Sequence, residues 1–240
     1  LANALKGAAE HDTRVVVLDR PNPIAPLEPA GNRIPQKHAS FVGNYRLPVI
    51  HGLTIGELAD YFNEEFGIGA DLDVVELLDW DRDQWYDETG LPWVSPSPNM
   101  PTLEIATLYP GTCLIEGTTL SEGRGTARPF TLIGAPWIDA ADWAAHLNDL
   151  DLVGVQFRPE YFTPWSQKHE GEQVEGVQVH LRDRDAVRPL QVGLSVLVSA
   201  FGLFPKSDWR TVEDTHFVDR LAGGPELRHR VDAMNGEPTG

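Results

Sequence analysis

Residues 13–23, TRVVVLDRPNP, decide how the fold is read. Val15–Leu18 is a short β-branched run, the kind that a parallel sheet buries on both faces. It ends in Asp19-Arg20-Pro21-Asn22-Pro23, which sets Asp19, Arg20 and Asn22 just past the carboxyl end of a strand. In open α/β sheets that is where ligands bind. The stretch therefore predicts an α/β protein, and it nominates those three residues as binding candidates.

Outward from it, strands and helices alternate. Upstream, Leu1–Glu10 carries helix formers with apolar residues at Leu1 and Leu5. Downstream, Pro21–Pro48 is a loop rich in Pro, Gly and Asn. A helix follows, with Thr54 as its cap, Glu57 closing a capping box and Gly67 stopping it. Leu72–Leu78 reads as a strand. Thr102–Leu108 reads as a short helix, Thr112–Glu116 as a strand and Phe130–Ile133 as another. Asp139 caps a helix with Trp143, Ala144 and Leu147 on its apolar face. Val177, Val179 and Leu181 alternate with Gln178, His180 and Arg182, as in a half-buried strand. Pro189–Phe204 reads as a helix with Leu194, Val198 and Phe201 on one stripe, and one more helical pattern follows Thr211. The class is α/β or α+β. A composition break near Thr131–Ala135 divides the chain into 1–132 and 133–240.

Composition narrows the partners. The 240 residues carry 41% hydrophobic and 23% charged side chains, enough for a sizeable core. The net charge of −17 argues against nucleic acid, which needs a basic face, and against an anionic membrane surface. Cys113 is the single cysteine, so neither an internal disulfide nor a Cys-rich zinc site is available. No apolar run reaches the roughly 18 residues of a spanning helix. The eight His show no helical metal spacing, and neither a phosphate loop nor a nucleophile elbow is present. The expectation is no cofactor and no metal.

The chemistry-bearing residues cluster in two loops. In SEGRGT, residues 121–126, Glu122 lies between glycines that let backbone approach a ligand. Arg124 can grip a carboxylate or phosphate with two nitrogens. The other reading is a salt-bridged surface turn. Glu116, at the expected strand end, is either a second carboxylate for a glycosidase or a local partner of arginine. Asn99, in SPSPNMP, either bonds a sugar or closes its own turn. His51 precedes a helix and either meets ligand or simply enters the helix. Trp80, Trp85, Trp93 and Trp137 are stacking platforms or core.

Taken in order, DRPNP, SFVGNYRLPVIHGLTIGELA, TGLPWVSPSPNMPT, YPGTCLIEGTTLSEGRGTARPF, GAPWID and GVQVHLRD resemble the DUF1343 family, from about Val15 to about Asp219. Its characterised members are exo-β-N-acetylmuramidases of the NamZ type. The resemblance implies a glycoside hydrolase that releases N-acetylmuramic acid from non-reducing ends of peptidoglycan fragments, in the periplasm, at the cell surface or in the medium. It implies a Rossmann-like subdomain, whose carboxyl-terminal portion is 1–132, followed by a smaller α/β subdomain. Glu122 is then the expected catalytic residue. Asp19, Arg20, Asn22, His51, Asn99, Glu116 and Arg124 are the expected substrate contacts, drawn toward one pocket. Family members carry an upstream G-P-E-H-G loop that is missing here, and PLEPAGN with Glu28 stands where they show E-G-P. The expectation is a fragment of a longer enzyme. The alternatives are a non-catalytic wall-sugar-binding protein, an inactive fragment, or a phosphate-ester hydrolase.

Overall fold

The computed structural model describes residues 1–236. The chain forms two compact units, one of Leu1–Pro29 with His51–Trp93 and one of Ala30–Ile50 with Val94–Gly240.

The first unit is built on a parallel strand pair. β1 (Val15–Leu18) pairs in register with β2 (Leu72–Val75), Val15 opposite Leu72 and Leu18 opposite Val75. Besides α1 (Ala2–Glu10), the unit holds α2 (Ile55–Glu65), which packs against both strands. The capping box forms as the sequence predicts. Thr54 accepts from the Glu57 N–H, and Glu57 accepts from the Thr54 N–H. Leu5, Ala59, Phe62 and Trp85 are core residues. One expectation needs correction: β1 is not buried on both faces. Val16 and Leu18 are exposed, as is Val75 on β2, because α2 covers only the alternate side chains.

The second unit holds the larger core. α3 (Leu103–Thr112) is capped by Thr102, whose hydroxyl accepts from the Ile105 N–H. Glu116 therefore does not end a strand. Cys113–Gly117 continues α3 as a 3-10 helix, because this run buries Leu114, Ile115 and Gly117. β3 (Leu132–Ala135), β4 (Val155–Phe162) and β5 (Val174–Leu181) form an antiparallel sheet in the order β3-β5-β4. β5 is its central strand, so even Gln178 is buried, where alternation had predicted a polar face. α4 (Ala140–Asp149), capped by Asp139, lies on this sheet, and its Trp143 indole N–H donates to Ser199 Oγ at 2.8 Å.

Ser199 belongs to α5 (Pro189–Leu203), which packs against α3. The two helices touch backbone to backbone where Gly111 meets Gly193, and a Cβ at either would overlap the other helix's main chain. That crossing rotates α5 away from the predicted stripe. Val192, Val196, Leu197 and Ala200 are buried, while Leu194 is exposed. A short hairpin, β6 (Thr211–Val212) and β7 (Thr215–His216), leads into α6 (Phe217–Ala222) and α7 (Glu226–Met234).

Candidate functional site

In the first unit, three predicted residues converge on the amino end of α2. Asp19 Oδ1 accepts from the Gly56 N–H at 2.7 Å and from the Arg20 N–H at 2.9 Å. The helix dipole and open amides there favour an anion. Asn22 donates to the Leu53 carbonyl at 3.0 Å and accepts from the Ile24 N–H at 3.1 Å. His51 Nδ1 accepts from the Leu53 N–H at 3.0 Å, so the neutral ring carries its proton on Nε2. Burial holds its pKa below the ordinary value, against the opposing pull of Glu57. Arg20 is exposed.

The second unit assembles the other group. Ser121 exchanges backbone hydrogen bonds with Gly134 of β3, at 2.8 and 3.1 Å, so the SEGRGT loop starts at the sheet edge. Glu122 follows and turns inward. Its side chain is 5% exposed and lies between two cations, Lys168 Nζ at 2.8 Å from Oε2 and Arg124 Nε at 3.3 Å from Oε1. Arg124 also meets Glu116 through Nη2 at 3.0 Å, and its guanidinium lies 5.0 Å from the centre of the Phe130 ring. Tyr109 stacks edge-on against that ring at 4.7 Å. Phe130 holds φ at 64°, a strained value for an aromatic residue, and its N–H donates to the Glu122 carbonyl at 2.6 Å.

The two glycines have a different use from the one expected. Gly123 and Gly125 take positive φ, 78° and 75°, to fold the loop back. A Cβ on Gly123 would meet the Leu132 carbonyl oxygen at 2.6 Å, and one on Gly125 the Ser166 N at 2.6 Å. They admit neighbouring backbone.

Lys168 carried no sequence signal, since it is one lysine in a polar loop. Its ammonium also donates to the carbonyls of Leu120 (2.8 Å), Ile115 (3.0 Å) and Glu116 (3.3 Å). It thereby caps the 3-10 helix and pins the β4–β5 loop onto the SEGRGT loop. Burial pulls its pKa below the ordinary lysine value, while Glu122 opposes that shift. Burial first, then Cys113 and Glu116, push the Tyr109 phenol up to about 12, with Arg124 opposing. Burial, then Glu116, push the Cys113 thiol up to about 12, which rules it out as a nucleophile near neutral pH.

The cluster joins two carboxylates to two cations, with side-chain exposures of 14% for Glu116 and 26% for Arg124. Nη1 of Arg124 is the guanidinium nitrogen outside both pairs. Glu116, Glu122 and Arg124 are thus brought together. Asn99 closes its own turn through an N–H donated to Ser97 Oγ at 3.2 Å. Asn22 belongs to the first unit, Asn99 and Glu122 to the second. Trp85 is core, Trp80 lies under the Arg82 guanidinium, Trp93 packs on Tyr86 and Trp137 on His169. Among the described residues, no group of three or more His, Cys, Asp or Glu is placed to hold a metal ion, and no helix is long and apolar enough to cross a membrane.

Residues 107–239 match the family model for the carboxyl-terminal part of exo-β-N-acetylmuramidase NamZ, and residues 1–104 the model for its amino-terminal part. The chain is 46% identical over 232 residues to peptidoglycan β-N-acetylmuramidase NamZ of Bacillus subtilis, covering 97% of this chain and 56% of that protein. A DUF1343 family crystal structure from Bacteroides fragilis superposes with a TM-score of 0.88 at 34% identity, covering 97% of this chain and 62% of that one. A second from the same organism gives 0.73 at 25% identity, with coverages of 99% and 63%. The chain therefore spans less than two thirds of the length of each of these relatives.

Proposed function

The chain belongs to the exo-β-N-acetylmuramidase NamZ family, and from that premise we propose that it forms part of a glycoside hydrolase releasing N-acetylmuramic acid from peptidoglycan fragments. The observation that carries this reading is the 46% identity, sustained over 232 residues. The Arg124 cluster gives it a chemical basis. N-acetylmuramic acid differs from its neighbour in the glycan by a lactyl carboxylate, and Nη1 of Arg124 receives that carboxylate. Glu122 is the carboxylate on which the reaction depends. With a cation on each side, it works by holding Arg124 and Lys168 in place. Glu116, more exposed, completes the grip on Arg124 from the side of the sugar. Taken by itself, the first unit offers a ligand the Nε2–H of His51 and the exposed Arg20, while Asp19 and Asn22 fix the backbone at the amino end of α2. Asn99 offers its amide from its turn.

The β1–α2–β2 parallel unit supports a Rossmann-like reading of the first unit. The proposed place of action is the periplasm, the cell surface or the medium.

The test is a chimera. These 240 residues replace the matching part of the Bacillus subtilis relative, and the product is given an N-acetylmuramic acid–N-acetylglucosamine disaccharide. Release of free N-acetylmuramic acid at a rate within tenfold of the parent supports the proposal. A folded chimera that binds the disaccharide without cleaving it supports a wall-sugar-binding role instead.

A further inference from the structure

The β4–β5 loop carries a feature that the ion-pair network does not use. Trp165 is 74% exposed, although every other tryptophan is wholly or partly buried. An exposed indole forgoes about 2 kcal/mol of burial, and single exposed apolar residues are ordinary. What sets this one apart is the backbone beneath it. The Trp165 N–H donates to the Gly125 carbonyl at 2.8 Å, directly beside Arg124. Gly171 N–H closes the loop onto the Pro164 carbonyl at 2.8 Å, and Pro164 is buried. His169 Nε2 lies 2.8 Å from the Thr119 carbonyl, and Lys168 is held by three carbonyls and Glu122. Gln167 and His169, on either side of Lys168, hold φ at 71° and 58°. The neighbours of Trp165 are thus pinned to the SEGRGT loop, while its own ring stays in solvent.

We propose that Trp165 is a stacking platform for a pyranose ring of the glycan whose acidic sugar is held by Arg124. A pyranose has one face of C–H groups and a rim of hydroxyls. A rigidly based indole offers a flat apolar surface with a polar edge, which suits that pattern at low entropic cost. Arg124, the residue before the Gly125 that Trp165 bonds, supplies the complement for the lactyl carboxylate. Indole and guanidinium together would select an acidic amino sugar over a neutral one and over a free carboxylate. This rests on the muramidase reading for its substrate class.

The test uses the whole chain and a thio-linked N-acetylmuramic acid–N-acetylglucosamine disaccharide, which hydrolysis does not consume. The seven tryptophans give seven indole N–H signals in a nitrogen-15 spectrum, and the one missing from Trp165→Phe is that of Trp165. The disaccharide is expected to shift that signal saturably. Trp165→Ala is expected to weaken binding about tenfold, the scale of an anchor tryptophan, with the other six signals unmoved in the free protein. Trp165→Phe is expected to keep most of the affinity. Equal affinity in wild type and Trp165→Ala, or binding that leaves the Trp165 signal in place, overturns the platform alone. No binding by wild type overturns both the platform and the substrate class.

Discussion

Replacing Lys168 with Met tests the claim that one ammonium holds the candidate site together. The substitution keeps the stem's length and removes the charge. Glu122, 5% exposed, would then keep only Arg124 at 3.3 Å, and the carbonyls of Leu120, Ile115 and Glu116 would lose their shared donor. Removing one partner of a buried pair costs about 3–5 kcal/mol, because the remaining charge stays buried. Both side chains are less than one fifth exposed, so solvent screening reduces this little. For a unit of this size, each kcal/mol moves Tm by about 2–4 °C, so the expected loss is about 10 °C. Calorimetry of Lys168→Met, Glu122→Gln and the double variant measures the loss and its origin. The double variant should be more stable than the sum of the single effects predicts, by about 2 kcal/mol. A Tm drop below about 2 °C, or additive effects, would refute the argument.

Other outcomes follow from the titrating groups. Cys113 keeps its proton to about 12 when folded, against 9.0 as its ordinary value, so above pH 9 the unfolded chain loses a proton that the native chain retains. Stability should therefore fall with rising pH, by up to about 1.4 kcal/mol per unit from this group. Cys113→Ala should flatten the slope between pH 9 and 10.5 in urea titrations, and an unchanged slope contradicts the burial account. The same thiol should resist iodoacetamide in native protein at pH 8 and react at the ordinary rate in urea. His51 has the opposite linkage. Its folded pKa lies below 6.5, so its share of stability is lost as pH falls through 6.5 toward the folded value. Proton NMR should show its ring titrating at lower pH than an exposed histidine, and a midpoint at or above 6.5 would contradict the buried Nδ1 acceptor.

Much of the local structure was legible in the sequence because it is locally encoded. Thr54 with Glu57, Thr102 and Asp139 each mark a helix start through their own side chains, and all three caps form. Val15–Leu18 forms a strand over the four residues predicted. Two of the failures share a physical source, tertiary burial. Thr112–Glu116 reads as a strand by its apolar, β-branched content, yet its place against α5 and α6, directly after α3, makes it helical. β5 alternates in sequence, but it is flanked on both edges and covered by α4, so Gln178 at its centre is buried as well, while Arg182 just past its end is exposed. In the site, Glu116, Glu122 and Arg124 lie within nine residues of one another and could be read together. Lys168 and Phe130 could not. Lys168 reaches Glu122 across 45 intervening positions only because the β4–β5 hairpin folds back, and Phe130 is set under Arg124 by a left-handed backbone that no residue type announces.

The most direct measurement of the central claim is substrate discrimination in the chimera described above. Rates are taken on disaccharides ending in N-acetylmuramic acid and in N-acetylglucosamine, which differ by the lactyl group, with Arg124 intact and with Arg124→Gln. A charge-assisted hydrogen bond contributes about 1.5–3 kcal/mol, so loss of the guanidinium should lower kcat/KM for the acidic sugar about 10- to 100-fold relative to the neutral one. An equal loss on both sugars, or a preference for the acidic sugar that survives without Arg124, would contradict the account.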